Sequence, residues 1–248
     1  MVIQNKDFWE KDNIISTQNV VKHIADFEHF MFENAVERYK KIGIIENIKI
    51  FGCGTGREIN GIFKFFNPKK ILASDISANM ISKCNENLID WGIDHVTETE
   101  VGNAVLFNKK NNEFDLVTIL NSMLTYVPNK KDRLTIFKNA LQILKPKATL
   151  IGTVHNQEGT LKKSLYFRFR KLFSVFLGDK VGNRKTGFKG FKVSGYYYDK
   201  NTLINDLKVT GFENIEVFSL EEYYLKQKNI VYNRKTGYNN LIFIASRS

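Results

Sequence analysis

The sequence predicts an α/β fold built on a doubly wound, mostly parallel sheet. Three observations carry that expectation: short continuous apolar runs, stretches of helical spacing between them, and a glycine cluster directly after the first run. Strands that alternate with helices of about ten to fifteen residues imply βαβ units. Continuous rather than alternating apolar runs suit strands covered by helices on both faces.

The elements follow in order. Residues 18–42 read as a helix, with Val21, Ile24, Ala25, Glu28 and Phe32 along one side. Ile48–Phe51 is the first strand and stops at glycines. Arg57–Phe66 carries Ile59, Ile62, Phe63 and Phe66 at helical spacing, and Asn67-Pro68 ends it. Ile71–Ser74 is the second strand. Ser77 caps a helix over 78–91 that ends at Trp91-Gly92. Val96–Val101, Asp115–Leu120 and Thr149–Val154 read as the third, fourth and fifth strands. A helix over Lys130–Leu144 stops before Pro146. From 155 to 200 the pattern breaks. A helix near 200–209, Gly211-Phe212, a strand at 213–220 and a closing strand, Leu241–Ala245, restore it. No clear linker interrupts the chain. Residues 1–248 therefore read as a single domain, with an N-terminal helical cap (1–44) and a basic, aromatic insertion (155–200).

At 248 residues, 43% hydrophobic and 25% charged, the chain has the composition of an ordinary globular protein, which excludes wholesale disorder. Its two cysteines, Cys53 and Cys84, exclude a disulfide scaffold or a cysteine zinc cage, and no metal site is read. They are most simply reduced thiols, and with no basic-then-apolar leader in MVIQNKDFWEKDN the expected location is cytoplasmic. The net charge is +11 and unevenly placed. Residues 1–100 hold 12 Lys and Arg against 15 Asp and Glu, while residues 101–248 hold 25 against 11. Such a basic half suits an anionic partner, although on charge alone a solvated lysine-rich surface is the simpler explanation.

The most informative stretch is Ile48-Lys49-Ile50-Phe51-Gly52-Cys53-Gly54-Thr55-Gly56-Arg57-Glu58. A buried strand feeds a glycine turn that opens a helix, where backbone N–H groups can meet a polar ligand. Arg57 stands where a dinucleotide fingerprint would want its last glycine, which argues against NAD or FAD. Asp75 closes the next strand, 19 residues past Gly56, where a carboxylate can take both hydroxyls of a ribose. Ser77 competes with it for the capping role.

On these residues the chain resembles the class I S-adenosylmethionine-dependent methyltransferases. Phe51–Gly56 is similar to their first motif, and Ser74-Asp75-Ile76-Ser77 with Met80 to their second. Gly102-Asn103-Ala104 resembles the turn at the adenine edge, with Asn103 in place of the usual Asp. Phe114–Val117 resembles the start of the fourth strand, Leu144-Lys145-Pro146 the turn before the fifth, and Gly211-Phe212 the entry to the sixth. The resemblance implies a Rossmann-like, seven-stranded sheet with an antiparallel last strand. It also implies an enzyme that takes S-adenosyl-L-methionine and releases S-adenosyl-L-homocysteine. The cofactor residues it implies are Gly52, Cys53, Gly54, Gly56, Asp75, Ile76, Met80, Asn103, Ala104 and Leu120. Ile50 departs from the family, which usually has an acid there to help hold the methionine end; backbone carbonyls near Gly52 and Leu120 are the alternative receivers.

Methyl transfer is mostly a matter of alignment, with a base needed only for a nucleophile that holds its proton. His155 directly follows the fifth strand and is the candidate base; His23 and His29 lie on the first helix and either reach the pocket or simply pack. Asn121 and Tyr126 follow the fourth strand, where they can orient a substrate or merely cap and pack. Leu161, Leu165, Phe169, Leu172, Phe173 and Phe176 lie on one helical stripe, with Lys162, Lys163, Arg170 and Lys171 off it. The expectation is a lid whose apolar face packs on the domain, and peripheral membrane contact is not favoured. Asn183–Phe188 recurs nearly unchanged at Asn233–Tyr238, both in expected loops. Arg184, Lys185, Arg234 and Lys235 are thus candidates for an anionic group of the substrate, against a reading as solvated basic turns.

The expected activity is methyl transfer to an oxygen or nitrogen of a small acceptor, with an anionic group on it left open. RNA methylation is the alternative within enzymes, with nucleic acid a possible but disfavoured partner. A non-catalytic S-adenosylmethionine-binding protein, suggested by Ile50, is the alternative outside them.

Overall fold

A computed structural model describes residues 5–20, 23–108, 112–188, 191–232 and 239–248. Strands β1 (Asn47–Phe51), β2 (Lys70–Asp75), β3 (Thr97–Val101), β4 (Phe114–Ile119) and β5 (Leu144–His155) pair in parallel. A hairpin, β6 (Asn183–Phe188) and β7 (Phe191–Tyr196), stands apart from them. Strands β8 (Phe212–Ser219) and β9 (Asn240–Arg247) complete the main sheet, and β9 runs antiparallel to both β5 and β8. The seven-stranded order is β3-β2-β1-β4-β5-β9-β8. The sheet grows outward from β1 in both directions, so right-handed crossovers carry helices to opposite faces and leave a crevice where β1 meets β4.

Helix α1 (Asn5–Trp9) and α2 (Asp12–Asn19) precede α3 (Asp26–Tyr39), which packs on β5 and β9. After β1 comes α4 (Arg57–Phe66); α5 (Ala78–Trp91) packs on β2 and β3, and α6 (Lys130–Ile143) on β5. Helices α7 (Leu161–Leu172) and α8 (Ser174–Leu177) follow β5. Helix α9 (Lys200–Val209) packs on β8, and α10 (Leu220–Lys228) lies between β8 and β9. The core runs through both layers: Ile48, Ile50 and Phe51 of β1, Leu116, Val117 and Ile119 of β4, and Ile242, Phe243 and Ile244 of β9 are fully buried.

Four expectations change. The helix expected over 18–42 forms only as α3, from Asp26 to Tyr39; around its start Glu28 accepts from Ala25 N at 2.6 Å and Arg57 donates to His23 O at 3.0 Å. The insertion is not irregular throughout: Asn183–Phe188, expected as a loop, is strand β6, paired with β7. The segment expected as a loop over 221–240 begins with α10, whose Ser219 and Glu222 cap each other's backbone N–H at 3.1 and 2.7 Å. The apolar stripe of α7 and α8 faces outward. Phe169 is 62% exposed, Leu172 79% and Phe176 87%, while Lys163 and Phe167 are the buried residues of α7.

Two buried ions tie the layers together. Asp115 on β4 accepts from Tyr39 Oη (2.9 Å), Asn47 N (2.8 Å), Glu46 N (3.0 Å) and Lys145 Nζ (2.7 Å). Burial pushes its carboxyl up, but Lys145 and the two amides outweigh burial and hold it below the ordinary 3.8. Arg133 on α6, 1% exposed, donates to Tyr198 Oη (2.9 Å) and to the carbonyls of Val127 (3.0 Å) and Pro128 (2.8 Å). Its guanidinium lies 3.5 Å from the centre of the Tyr196 ring.

Arg133→Ala strands the carbonyls of Val127 and Pro128 and the Tyr198–Asp206 pair. Its expected cost in urea unfolding is about 3 kcal/mol. Because Asp115 is depressed in the fold, it adds stability above pH 3.8 that is lost as pH falls through its folded value. In acid titrations of stability, Asp115→Asn is expected to flatten that loss.

Candidate active site

The crevice opens at the C-terminal ends of β1, β2 and β4. Gly52 leaves β1 at φ +75°, and a Cβ there would sit 2.4 Å from Met123 Cγ, so only glycine fits. Gly54, at φ +54°, has nothing within 4 Å of where a Cβ would point. Its backbone is thus open to the crevice. Asp75, at the end of β2, holds the turn from the other side. Its carboxylate accepts from Gly54 N at 2.9 Å and Ser77 N at 3.0 Å. Burial raises its carboxyl, and the amides of Ser77, Gly54 and Ile76 oppose that rise. Two amide bonds occupy only part of a carboxylate's acceptor capacity, and the rest can take vicinal hydroxyls. Ser77, not Asp75, caps α5, with Oγ accepting from Met80 N at 3.1 Å.

A single cavity of about 710 Å³ extends from this turn. Gly52, Gly54, Asp75, Ile76, Met80, Asn103 and Ala104 line one part of it; Asn121, Tyr126, His155, Arg184 and Lys185 also line it. Among the residues expected to meet a cofactor, Cys53, Gly56 and Leu120 do not line the cavity. Cys53 is buried beside Cys84, Gly56 would press a Cβ to 2.9 Å from Cys84 Sγ, and Leu120 is fully buried. They shape the turn from behind. Arg234 and Lys235 lie outside the described residues. His23 and His29 are exposed and do not line the cavity; His29 packs 5.9 Å from the Phe65 ring.

Asn121 sits at φ +51°, and its Oδ1 accepts from Arg57 Nη2 at 2.7 Å. Arg57 also grips Glu28 through both terminal nitrogens at 2.7 and 2.6 Å, so it links α3, α4 and the loop after β4. Tyr126 packs edge-on against Trp9, with ring centres 4.9 Å apart.

His155 is mostly enclosed. Its Nδ1 lies 2.9 Å from Asn240 Oδ1, and its ring lies 5.2 Å from that of Tyr197. Burial lowers its basicity below the ordinary 6.5; the Asn240 bond opposes this and the Lys163 charge adds to it. The imidazole is therefore neutral near pH 7, and with Asn240 Oδ1 accepting from Nδ1–H, Nε2 is the acceptor nitrogen. Lys163 of α7 also lines the cavity, and burial with the nearby Arg184 brings its ammonium down to about 8. The Arg184 guanidinium lies 5.5 Å from the Tyr197 ring centre, and Lys163 Nζ lies 5.9 Å from it. Two cations on one aromatic wall make a seat for an anion.

Sequence reasoning missed Trp9, Gln18, Lys163, Tyr197 and Asn240, all of which line the cavity. Lys163 was visible only as one lysine among several in a basic stretch. The Trp9 signal was its position in an aromatic-acid pair, Trp9-Glu10, ahead of α2. Glu10 accepts from Ala78 N (2.9 Å) and Asn79 N (3.1 Å) at the start of α5, which lays α1 across the crevice.

Residues 50–150 match a family model described as a methyltransferase domain. No curated protein matches the sequence. Solved structures share the fold at low identity. A S-adenosylmethionine-dependent methyltransferase from Methanosarcina mazei is 21% identical with a TM-score of 0.64, over 91% of this chain and 98% of that one. The N-methyltransferase NodS from Bradyrhizobium japonicum, in complex with S-adenosyl-L-homocysteine, is 13% identical with a TM-score of 0.61, over 99% of both chains. Phosphoethanolamine N-methyltransferase 2 from Haemonchus contortus is 16% identical with a TM-score of 0.67. That match spans 99% of this chain and 61% of that one, and the structure holds phosphomonomethylethanolamine and S-adenosylhomocysteine. With the glycine turn, the Asp75 clamp and the seven-stranded order in place, the chain shares the fold of S-adenosylmethionine-dependent methyltransferases and matches a methyltransferase domain model over residues 50–150.

Proposed function

We propose that this enzyme methylates an oxygen or nitrogen of a small acceptor that carries an anionic group. The observation that carries the reading is one continuous cavity lined by Gly52, Gly54 and Asp75 and also by His155, Lys163 and Arg184. Cofactor and acceptor sites thus share one enclosure. The Haemonchus contortus relative, whose structure holds a phosphorylated amine, supports the same class of acceptor.

S-adenosylmethionine supplies a methyl group on a sulfonium, open to in-line displacement. Asp75 would take the ribose hydroxyls, Ile76 and Met80 would line the adenine, and Asn103 with Ala104 would meet its edge. The backbone at Gly52 and Gly54 borders the amino-acid end, where Ile50 is buried in β1 and offers no carboxylate. Asn121, held by Arg57, and Tyr126, packed on Trp9, orient the acceptor. Lys163 and Arg184 hold its anionic group, and the walls exclude water. His155 Nε2 would take the proton of the acceptor's oxygen or nitrogen, and Asn240 would steady the resulting imidazolium through Nδ1.

The deciding experiment is transfer of labelled methyl to a panel of phosphorylated and carboxylated amines and alcohols. Turnover confined to anionic members supports the reading; cofactor binding without turnover on any member leaves a non-catalytic binder. Asp75→Ala is expected to weaken S-adenosylhomocysteine binding by about tenfold to a hundredfold in calorimetry. His155→Asn is expected to lower kcat by about a hundredfold with the cofactor's Kd unchanged. The profile of kcat/KM should be a bell. Its acid limb falls below pH 6.5, where His155 gains a proton, and its alkaline limb falls through about 8, where Lys163 loses one. Lys163→Met should raise KM and remove the alkaline limb.

A further inference from the structure

The outward face of α7 and α8 has no counterpart in the cavity chemistry. Within residues 161–177, Phe169, Leu172, Val175 and Phe176 are 62%, 79%, 89% and 87% exposed, and Leu161 and Leu165 extend the same face. An apolar stripe of this density on a water-facing helix marks an interaction surface rather than scattered exposure. The opposite face is already used: Lys163 and Phe167 are buried, and Arg170 donates to Val181 O at 2.9 Å. The stripe therefore cannot turn inward without pulling Lys163 out of the cavity.

Cations border the stripe. Lys162, Arg168 and Lys180 are exposed, and Lys171, half-exposed, lies 3.6 Å from Asp199. Residues 161–180 hold six Lys and Arg against one Asp. Protein-protein interfaces are depleted in lysine, whereas helices lying in a bilayer surface place Lys and Arg beside an apolar face and let the stems snorkel. Among the described residues no helix is long and apolar enough to cross a membrane, so the contact is with one leaflet.

We propose that α7 and α8 dock this enzyme on an anionic lipid surface, with the apolar stripe in the headgroup boundary and the flanking cations on acidic headgroups. This reverses the expectation that the helix is a lid packed on its own domain. Each basic residue near such a surface contributes about 1 kcal/mol, and the buried apolar side chains add to it.

The test is co-sedimentation of the full chain with vesicles of phosphatidylcholine alone or mixed with phosphatidylglycerol. It needs neither cofactor nor acceptor, so its failure is separate from failure of the proposed reaction. The protein is expected to pellet with the mixed vesicles, to stay in solution with phosphatidylcholine, and to be released by salt. The pairs Phe169→Asp with Phe176→Asp and Lys162→Glu with Arg168→Glu are each expected to reduce partitioning by about tenfold or more. Both change exposed side chains, and an unaltered melting temperature shows that the fold persists. Wild-type protein that ignores both vesicles overturns the proposal, as do variants that pellet like wild type. So does a dimer, dissolved by Phe169→Asp with Phe176→Asp, in a protein that does not bind lipid; that face would then join two copies of the chain.

Discussion

The Asp75 carboxylate is the constraint on which the site depends. It bonds Gly54 N and Ser77 N at once, so it fastens the turn after β1 to the entry of α5. Both turns are short of conformational freedom. Gly52 is hemmed in by Met123, and Ser77 is committed to capping Met80 N. A carboxylate held by two amides keeps its orientation in a partly apolar enclosure, and preorganisation of that kind is what an alignment-limited reaction needs.

Charge is distributed in the molecule with a purpose that its sum hides. Acid stands beside the glycine turn, in Asp75 and in Glu10 at the start of α5, and base elsewhere on the cavity wall, in Lys163 and Arg184. Other ions serve the frame. Lys49, fully buried in β1, donates to Ser74 Oγ at 2.9 Å and Glu100 Oε1 at 3.0 Å across the sheet. Arg133 and Asp115 bind loop ends to the layers. Buried ions that are fully hydrogen-bonded specify an arrangement more than they add stability.

The parts of the fold most legible in the sequence are those where burial dictates pattern. Continuous apolar runs identify β1, β2 and β4, and Ser77 with Gly92 marks both ends of α5. Asp75 was legible from its place at the end of the second strand, 19 residues past Gly56, and Ile76, Met80, Asn103 and Ala104 only through the family resemblance. The rest of the cavity was not, because Trp9, Lys163, Tyr197 and Asn240 come from four distant segments joined only by tertiary packing. Periodicity located the apolar stripe of α7 but not its direction, since spacing defines a face and says nothing of what lies opposite it. The mutual cap of Ser219 and Glu222 was a readable sign of α10, hidden in a stretch that otherwise lacks apolar rhythm. The start of α3 at Asp26, where Arg57 bonds His23 O and Glu28, rests on side-chain bonds that leave no periodic trace.

The segment ahead of α3 deserves a different status from an ordinary leader. Asn5 bonds the carbonyls of Tyr126 and Ser194, Trp9 and Gln18 line the cavity, and Phe8, Ile14 and Ile15 form a small cluster with Met80 and Val193. These contacts make it a roof beam resting on α5 at one end and on the β7 hairpin at the other. Trimming the chain back to α3, or fusing a bulky tag against Asn5, would leave the sheet standing and unroof the chamber beneath.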